Sequence, residues 1–212
     1  MIKRLLSSLA LVAAVSVPMQ AQVTQTFGSG SAVTSIDATA DFEDQSSLFN
    51  NPYVENGLSF SRTGMTFNNN GCGFAGCVGA FDFYTGNYMY GNGDVGSYFS
   101  MSRAGGQRLY GLEFQAGVSW TSATFFWEAL LGGSSIASGS GALGAEATVL
   151  GFSSATGFDE LRYGWGSHCQ CSSFDAVRAQ FSTTAVPEPG SMMLLAIGLF
   201  GMVGVRRRMR GA

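Results

Sequence analysis

The stretch SATFFWEAL (122–130) sets Ala123, Phe125, Trp127 and Ala129 against Thr124, Phe126 and Glu128. Alternation with period two is the mark of a strand with one buried face. LYGLEFQAGVSW (109–120) repeats it, with Leu112, Phe114 and Ala116 on one side and Glu113 and Gln115 on the other. FDAVRAQFS (174–182) sets Val177, Ala179 and Phe181 against Arg178, Gln180 and Ser182. YVENGLSFS (53–61), CVGAFDFYTG (77–86) and GSYFSMS (96–102) are rich in aromatic and polar strand formers. Glycine or asparagine separates these runs at short, regular intervals, as in an antiparallel all-β domain. The pattern predicts an antiparallel β-sandwich, jelly-roll-like, over residues 36–184. Trp127 belongs to its core, and Glu113 and Glu128 to polar, solvated strand faces. ALLGGSSIASGSGALGAEATVLGF (129–152) reads as a hairpin with a flexible glycine–serine loop, because its glycines disfavour a helix. Residues 22–35, rich in Ser, Thr and Gly, read as a flexible leader.

Two apolar stretches flank this body. MIKRLLSSLALVAAVSVPMQAQ opens with Lys3 and Arg4, continues through an apolar run from Leu5 to Val17, and breaks at Pro18 before the small Ala21. Charged start, short apolar run and small exit residue form a secretory signal helix over 1–21. The second stretch, Met192 to Val205, is interrupted by Gly198, Gly201 and Gly204 and ends in Arg206, Arg207, Arg208 and Arg210. A helix over 191–205 is about 22 Å long, short of the ~30 Å hydrocarbon core. The arginines hold their end on the cytoplasmic side. Both basic ends then face inward and the body between them is exported.

Just before this run stand Pro187, Glu188 and Pro189. Pro-Glu-Pro, then an apolar segment, then a terminal arginine cluster, resembles the PEP-CTERM sorting signal; the likeness spans residues 185–212. It implies recognition by a membrane-embedded, exosortase-type cysteine transpeptidase. It further implies cutting near Pro187–Pro189 and delivery to the cell surface or matrix of a bacterium that makes exopolysaccharide. Two prolines keep the segment extended, since neither supplies an N–H for helix or ladder. The plain alternative is a permanently membrane-anchored envelope protein. DFEDQS, VLGFSSATGFDELRYG and SSFDAVRAQF give the body a looser likeness to lectin-like jelly rolls, which implies a structural or weak carbohydrate-binding module.

Charge narrows the field. Charged residues are 12% of the chain, and Lys3 is the single lysine. Between Gln22 and Val186 there are five arginines and thirteen acids, 5 − 13 = −8. Nucleic-acid binding needs clustered cations, which this stretch lacks. GCGFAG (71–76) and GNGDVG (91–96) match GxGxxG, but the residues after each read as strand, and a dinucleotide site needs a helix there.

Four cysteines form two close pairs, Cys72 with Cys77 and Cys169 with Cys171. An even count in an exported chain favours disulfides. Crossed pairing closes about 95 residues and contributes roughly 4 kcal/mol in the chain-entropy model, whereas Cys169–Cys171 spans one residue and is strained. Zinc, with or without His168, is the alternative use, against which neither pair has C-x₂-C spacing. His168 is the one histidine and no GxSxG accompanies it, so a serine triad has no support.

Glu113 with Glu128, or Asp159 with Glu160, are the carboxylate pairs a glycosidase would need about 5.5 Å apart. In a jelly roll the first and last strands are neighbours, which makes Asp41, Glu43 and Asp175 candidate ligands of a structural Ca²⁺, with surface acids as the plain reading. No other cofactor is indicated. Tyr88, Tyr90 and Asn92, in NYMYGNG (87–93), are the candidate glycan contacts, because aromatic faces stack on sugars. The expectation is a non-enzymatic exported protein that meets an exosortase-type transpeptidase and extracellular polysaccharide. A secreted polysaccharide hydrolase is the rival reading.

Overall fold

The computed structural model describes residues 22–43, 51–68, 88–118, 122–144, 146–165 and 172–183. Eleven strands run through them. They are β1 (Val23–Phe27), β2 (Ala38–Ala40), β3 (Tyr53–Glu55), β4 (Leu58–Asn68), β5 (Met89–Arg103), β6 (Leu109–Val118), β7 (Ser122–Leu131), β8 (Ser134–Gly144), β9 (Thr148–Phe158), β10 (Glu160–Trp165) and β11 (Ser172–Gln180). Two tight hairpins are written into the sequence. Asn56–Gly57 joins β3 to β4 with φ of 46° and 81°. Gly132–Gly133 joins β7 to β8 with φ of 60° and 75°. Two consecutive left-handed residues give the turn whose twist matches the flanking strands.

Every pairing is antiparallel. Hydrogen bonding follows the path β1-β9-β6-β11-β5-β10-β7-β8, with β2 beside β11, and β4 lying between β3 and β5. This path folds into two facing layers. The first is β1, β9, β6, β11 and β2. The second is β3, β4, β5, β10, β7 and β8. The long β5 joins them: Met89–Gly91 pair with β11, and Tyr98–Ser102 pair with β10. The molecule is an all-β antiparallel sandwich, as the alternation predicted.

Between the layers lies an aromatic core. Phe174 of β11 is fully buried and meets Phe99 at 4.7 Å, Phe42 and Phe114 at 5.7 Å and Phe60 at 6.0 Å. Phe114 meets Tyr163 across the sandwich at 5.1 Å, and Trp127 meets Phe152 at 5.2 Å. Tilted and edge-on contacts of this kind add about 0.5–1.5 kcal/mol each beyond area burial. Trp127 is core, as its place in the alternation required, and its Nε1 donates to Gln25 Oε1 of β1 at 2.7 Å.

Two expectations are corrected. Residues 22–35 are not a loose leader: β1 pairs with β9 from Val23↔Ser154 to Phe27↔Leu150, and the chain after it packs on the sheet. Its serines and glycines serve close packing, which composition alone cannot tell from slack. The glycine–serine run in 134–144 is not a loop either, but the full length of β8. Gly141 and Gly139 stand opposite Phe125 and Trp127, whose rings occupy the space a side chain would need. The signal helix 1–21 and the tail helix 191–205 lie outside the described residues. So do Cys72, Cys77, Cys169, Cys171, His168, Pro187, Glu188, Pro189, Arg206, Arg207, Arg208 and Arg210. Among the described residues no helix is long and apolar enough to cross a membrane.

Candidate functional site

The outer faces of the two layers differ. On the first, Glu113 of β6 points away from the core yet is fully buried. Residues 28–35 fold back over it. The backbone N–H groups of Ala32 (2.6 Å), Gly30 (2.9 Å) and Val33 (3.1 Å) donate to its carboxylate, and Arg178 Nη2 lies 3.8 Å away. Burial pushes the carboxyl up, but these three N–H groups and Arg178 outweigh it and hold Glu113 below the usual range. Beside it, Gln180 Oε1 accepts from Thr34 N at 3.0 Å and Thr34 Oγ1 at 3.1 Å. Gly111 and Gly151 let the strap descend, since a Cβ would sit 2.6 Å from Ala32 O at the first and 2.8 Å from Ala32 Cβ at the second. This face is closed by the chain itself.

The outer face of the second layer has no such strap among the described residues. Register stacks three rows across its strands. Ser59, Ser102, Glu160 and Leu130 form one, Ser61, Ser100, Arg162, Glu128 and Ser138 the next, and Thr63, Tyr98, Gly164, Phe126 and Ser140 the third. Arg162 is the centre. Its Nε donates to Glu160 Oε1 at 2.8 Å and its Nη1 to Glu128 Oε2 at 3.2 Å, and all three side chains are about 30% exposed. The Glu160 hydrogen bond comes first among the causes that raise the Arg162 pKa, partly offset by burial. Ser100 Oγ donates to Glu160 at 2.5 Å, and the guanidinium lies 5.0 Å from the Tyr98 ring centroid. Next to this cluster, Gly164 separates Tyr98 from Phe126. Its missing side chain leaves room for the Phe126 ring, which would stand 2.6 Å from a Cβ there. The Phe126 ring therefore covers Gly164, and the half-buried Tyr98 and Phe126 stand in one row beside a fixed set of donors and acceptors.

The sequence-derived candidates fall elsewhere. Tyr88 is buried at 9% exposure, because it precedes β5 where that strand enters the joined edge of the sandwich; it is no exposed glycan contact. Tyr90 and Asn92 lie in β5 opposite Asn68 and Thr66, and their side chains are outside the described set. GNGDVG (91–96) lies inside β5, with no helix after it. GCGFAG is outside the described residues.

Glu113 and Glu128 are on opposite layers, one sealed and one paired to Arg162, so they share no cleft. Asp159 sits at the β9–β10 corner, where its Oδ2 accepts from Gly132 N at 2.6 Å.

Asp41, Glu43 and Asp175 do share a region. Among the described residues, however, no group of three or more His, Cys, Asp or Glu is placed to hold a metal ion. Their oxygens serve the chain instead: Asp41 Oδ1 accepts from Glu43 N, and Asp175 Oδ1 from Ala176 N at 2.6 Å. Glu55, which the sequence did not single out, fixes the turn by accepting from Asp41 N, Phe42 N and the Tyr53 hydroxyl. Burial pushes the Asp175 carboxyl up to about 7; the Ala176 N–H pulls it down, and Glu43, Asp41 and Glu55 add to the rise.

Sequence reasoning missed Arg162 and the role of Phe126; it named Glu160 only as the partner of Asp159 and did not choose Tyr98 as a glycan contact. One cue was available: Phe126 is an aromatic in the polar phase of an otherwise clean alternation.

Several solved structures show a remote likeness to this chain. A point mutant of a family 29 carbohydrate binding module is 14% identical, covering 79% of this chain and 99% of its own, with a TM-score of 0.41. The family 29 module CBM29_1 from Piromyces equi is 9% identical, covering 77% and 94%, with a TM-score of 0.41. A further family 29 module is 15% identical, covering 79% and 96%, with a TM-score of 0.39. Such remote likeness gives no residue correspondence. No curated protein matches the sequence. Residues 185–208 match the model of the PEP-CTERM protein-sorting motif. The chain thus carries, behind a β-sandwich body, the PEP-CTERM sorting motif that marks a protein for export and membrane-anchored sorting.

Proposed function

We propose that this is an exported surface or extracellular-matrix protein whose sandwich is a non-catalytic module that holds polysaccharide weakly on the open face of its second layer. The observation that carries this reading is the row Tyr98–Gly164–Phe126 beside the Arg162 cluster. Aromatic rings offer flat apolar surfaces to the C–H faces of sugars. Arg162, Glu128, Glu160 and Ser100 offer donors and acceptors to hydroxyls, already oriented by one another, so little entropy is lost when they bind. The other outer face is closed by residues 28–35. Glu128 and Glu160 are both tied to the one Arg162 guanidinium, an arrangement suited to holding a chain rather than to cycling a proton. Before reaching its site the protein meets an exosortase-type transpeptidase through Pro187-Glu188-Pro189.

Affinity electrophoresis of the exported chain, in gels containing exopolysaccharide from the producing cells, tests this. Retardation is expected. Tyr98→Ala and Phe126→Ala should each weaken binding by about 1 kcal/mol or more, roughly fivefold to tenfold, with the melting temperature checked alongside. Retardation undiminished in both folded variants would overturn the assignment of this face.

A further inference from the structure

The second layer ends on β8, and this edge differs from the others. Edge strands normally carry a defence against pairing with another chain: short length, lysine, proline or a bulge. The edge strands β1, β2 and β3 are short, with 5, 3 and 3 residues. β8 has 11 residues, SSIASGSGALG, with no charge and no proline. Its register shift lies near the hairpin, where Ala129 faces Ala137 and Leu130 faces Ser135, which turns Ile136 and Ala137 toward the core. From Ala137 to Gly144 the strand is regular, a run of about 27 Å. β7 takes one side of this run, and among the described residues no strand takes the other.

We propose that β8 of one copy pairs antiparallel with β8 of a second copy about a two-fold axis. Several features select a second copy as the occupant. Antiparallel pairing of identical strands is self-complementary, so a two-fold satisfies both edges with one contact. The body carries −8 between Gln22 and Val186, and two such bodies repel except where charge is absent. On β8 the outward positions are Ser138, Ser140 and Ala142, small and neutral, so like meets like without repulsion or clash. The nearest charge in that row system, Glu128, stands a strand further in. Pairing also continues the open face of one molecule into that of the other and doubles the ligand platform. A single strand edge buries less than the ~1,200 Å² of a stable interface, so the dimer is weak and responds to concentration. Sorting to a crowded surface supplies that concentration.

Sedimentation velocity on the exported chain from micromolar to millimolar concentration, without glycan, tests the pairing. A reversible monomer–dimer equilibrium is expected, with amides of 137–144 gaining protection from hydrogen exchange as dimer forms. Ser138→Lys combined with Ser140→Lys should shift the equilibrium at least tenfold toward monomer, with an unchanged melting temperature. A chain that stays monomeric throughout overturns the proposal. So does a dimer that the folded double variant retains, or one whose 137–144 amides stay unprotected.

Discussion

Glu113 and Asp175 are carboxylates sunk in the same layer, and they answer pH in opposite senses. The Glu113 carboxyl is held below its usual range, so its stabilisation is present above the unfolded value of 4.5 and is lost as pH falls through its lowered folded value. Asp175 is raised from 3.8 to about 7, so the folded chain holds a proton that the unfolded chain has released. Its contribution is fully present below about 3.8 and is lost as pH rises toward 7. Stability of the exported chain should therefore peak near pH 4 and fall on both sides. In denaturant melts, Asp175→Asn should remove the decline between about pH 4 and 7 while keeping the Ala176 N–H bond. Glu113→Gln should lower stability at neutral pH by about 1–3 kcal/mol and flatten the acid limb. A decline from about pH 4 to 7 that survives Asp175→Asn would contradict the assignment. Neither role was legible in sequence. Alternation put Glu113 on an outer face, correctly, but nothing in period two says that a distant segment lies over that face. The jelly-roll expectation did bring Asp175 beside Asp41 and Glu43, as the pairing of β2 with β11 does, but nothing in the sequence says that the Asp175 carboxyl is buried there.

β8 shows how far a strand can be read from its residues. Composition suggested a slack loop, yet glycine here is an imprint of its neighbour. A Cβ on Gly139 would meet Trp127 Nε1 at 2.7 Å, and one on Gly141 would meet Phe125 Cε1 at 2.6 Å. Trp127 cannot yield freely, because the same Nε1 is bonded to Gln25. Gly139→Ala should then cost about 1–3 kcal/mol through overpacking and loss of that bond. Gly144→Ala, whose Cβ meets only Glu146 N at 4.0 Å, should stay within about 0.5 kcal/mol. Equal effects in thermal melts would rule out the ring contact as the reason for glycine. The strands with clean alternation, β6, β7 and β11, were legible because apolar side chains take one face and polar ones the other, even where residues 28–35 roof that polar face, as over Glu113 and Gln180. YVENGLSFS reads as one run, although Asn56–Gly57 within it is a local turn signal that splits it into β3 and β4. β8 was not legible, since its pattern records the rings on β7 rather than a contrast between apolar and polar faces.

Across the full chain, the sandwich constrains how both ends are processed. Val23 is buried and opens β1, so cleavage of the proposed signal segment would have to leave Val23 in place or lose a strand that pairs over five positions. Cleavage after Ala21 satisfies this with one residue to spare. At the other end β11 closes at Gln180, whose side chain holds Thr34 and donates to Ser182 O. A cut at Pro187–Pro189 falls several residues beyond this last contact and leaves the fold intact. The matched motif covers 185–208; on the proposed cut, the apolar segment and all four terminal arginines leave with the tail. Intact-mass measurement on protein recovered from the cell surface should find a chain beginning at Gln22 and ending within 187–189, with a melting temperature equal to that of the tailed precursor in detergent. Removal of the tail also removes four of the chain's eleven cations, which leaves the surface form markedly acidic and favours contact through its neutral edge rather than its flanks. A surface form that still carries Arg210 would mean the tail is a lasting anchor, and the body would then act within reach of the membrane instead of in the matrix.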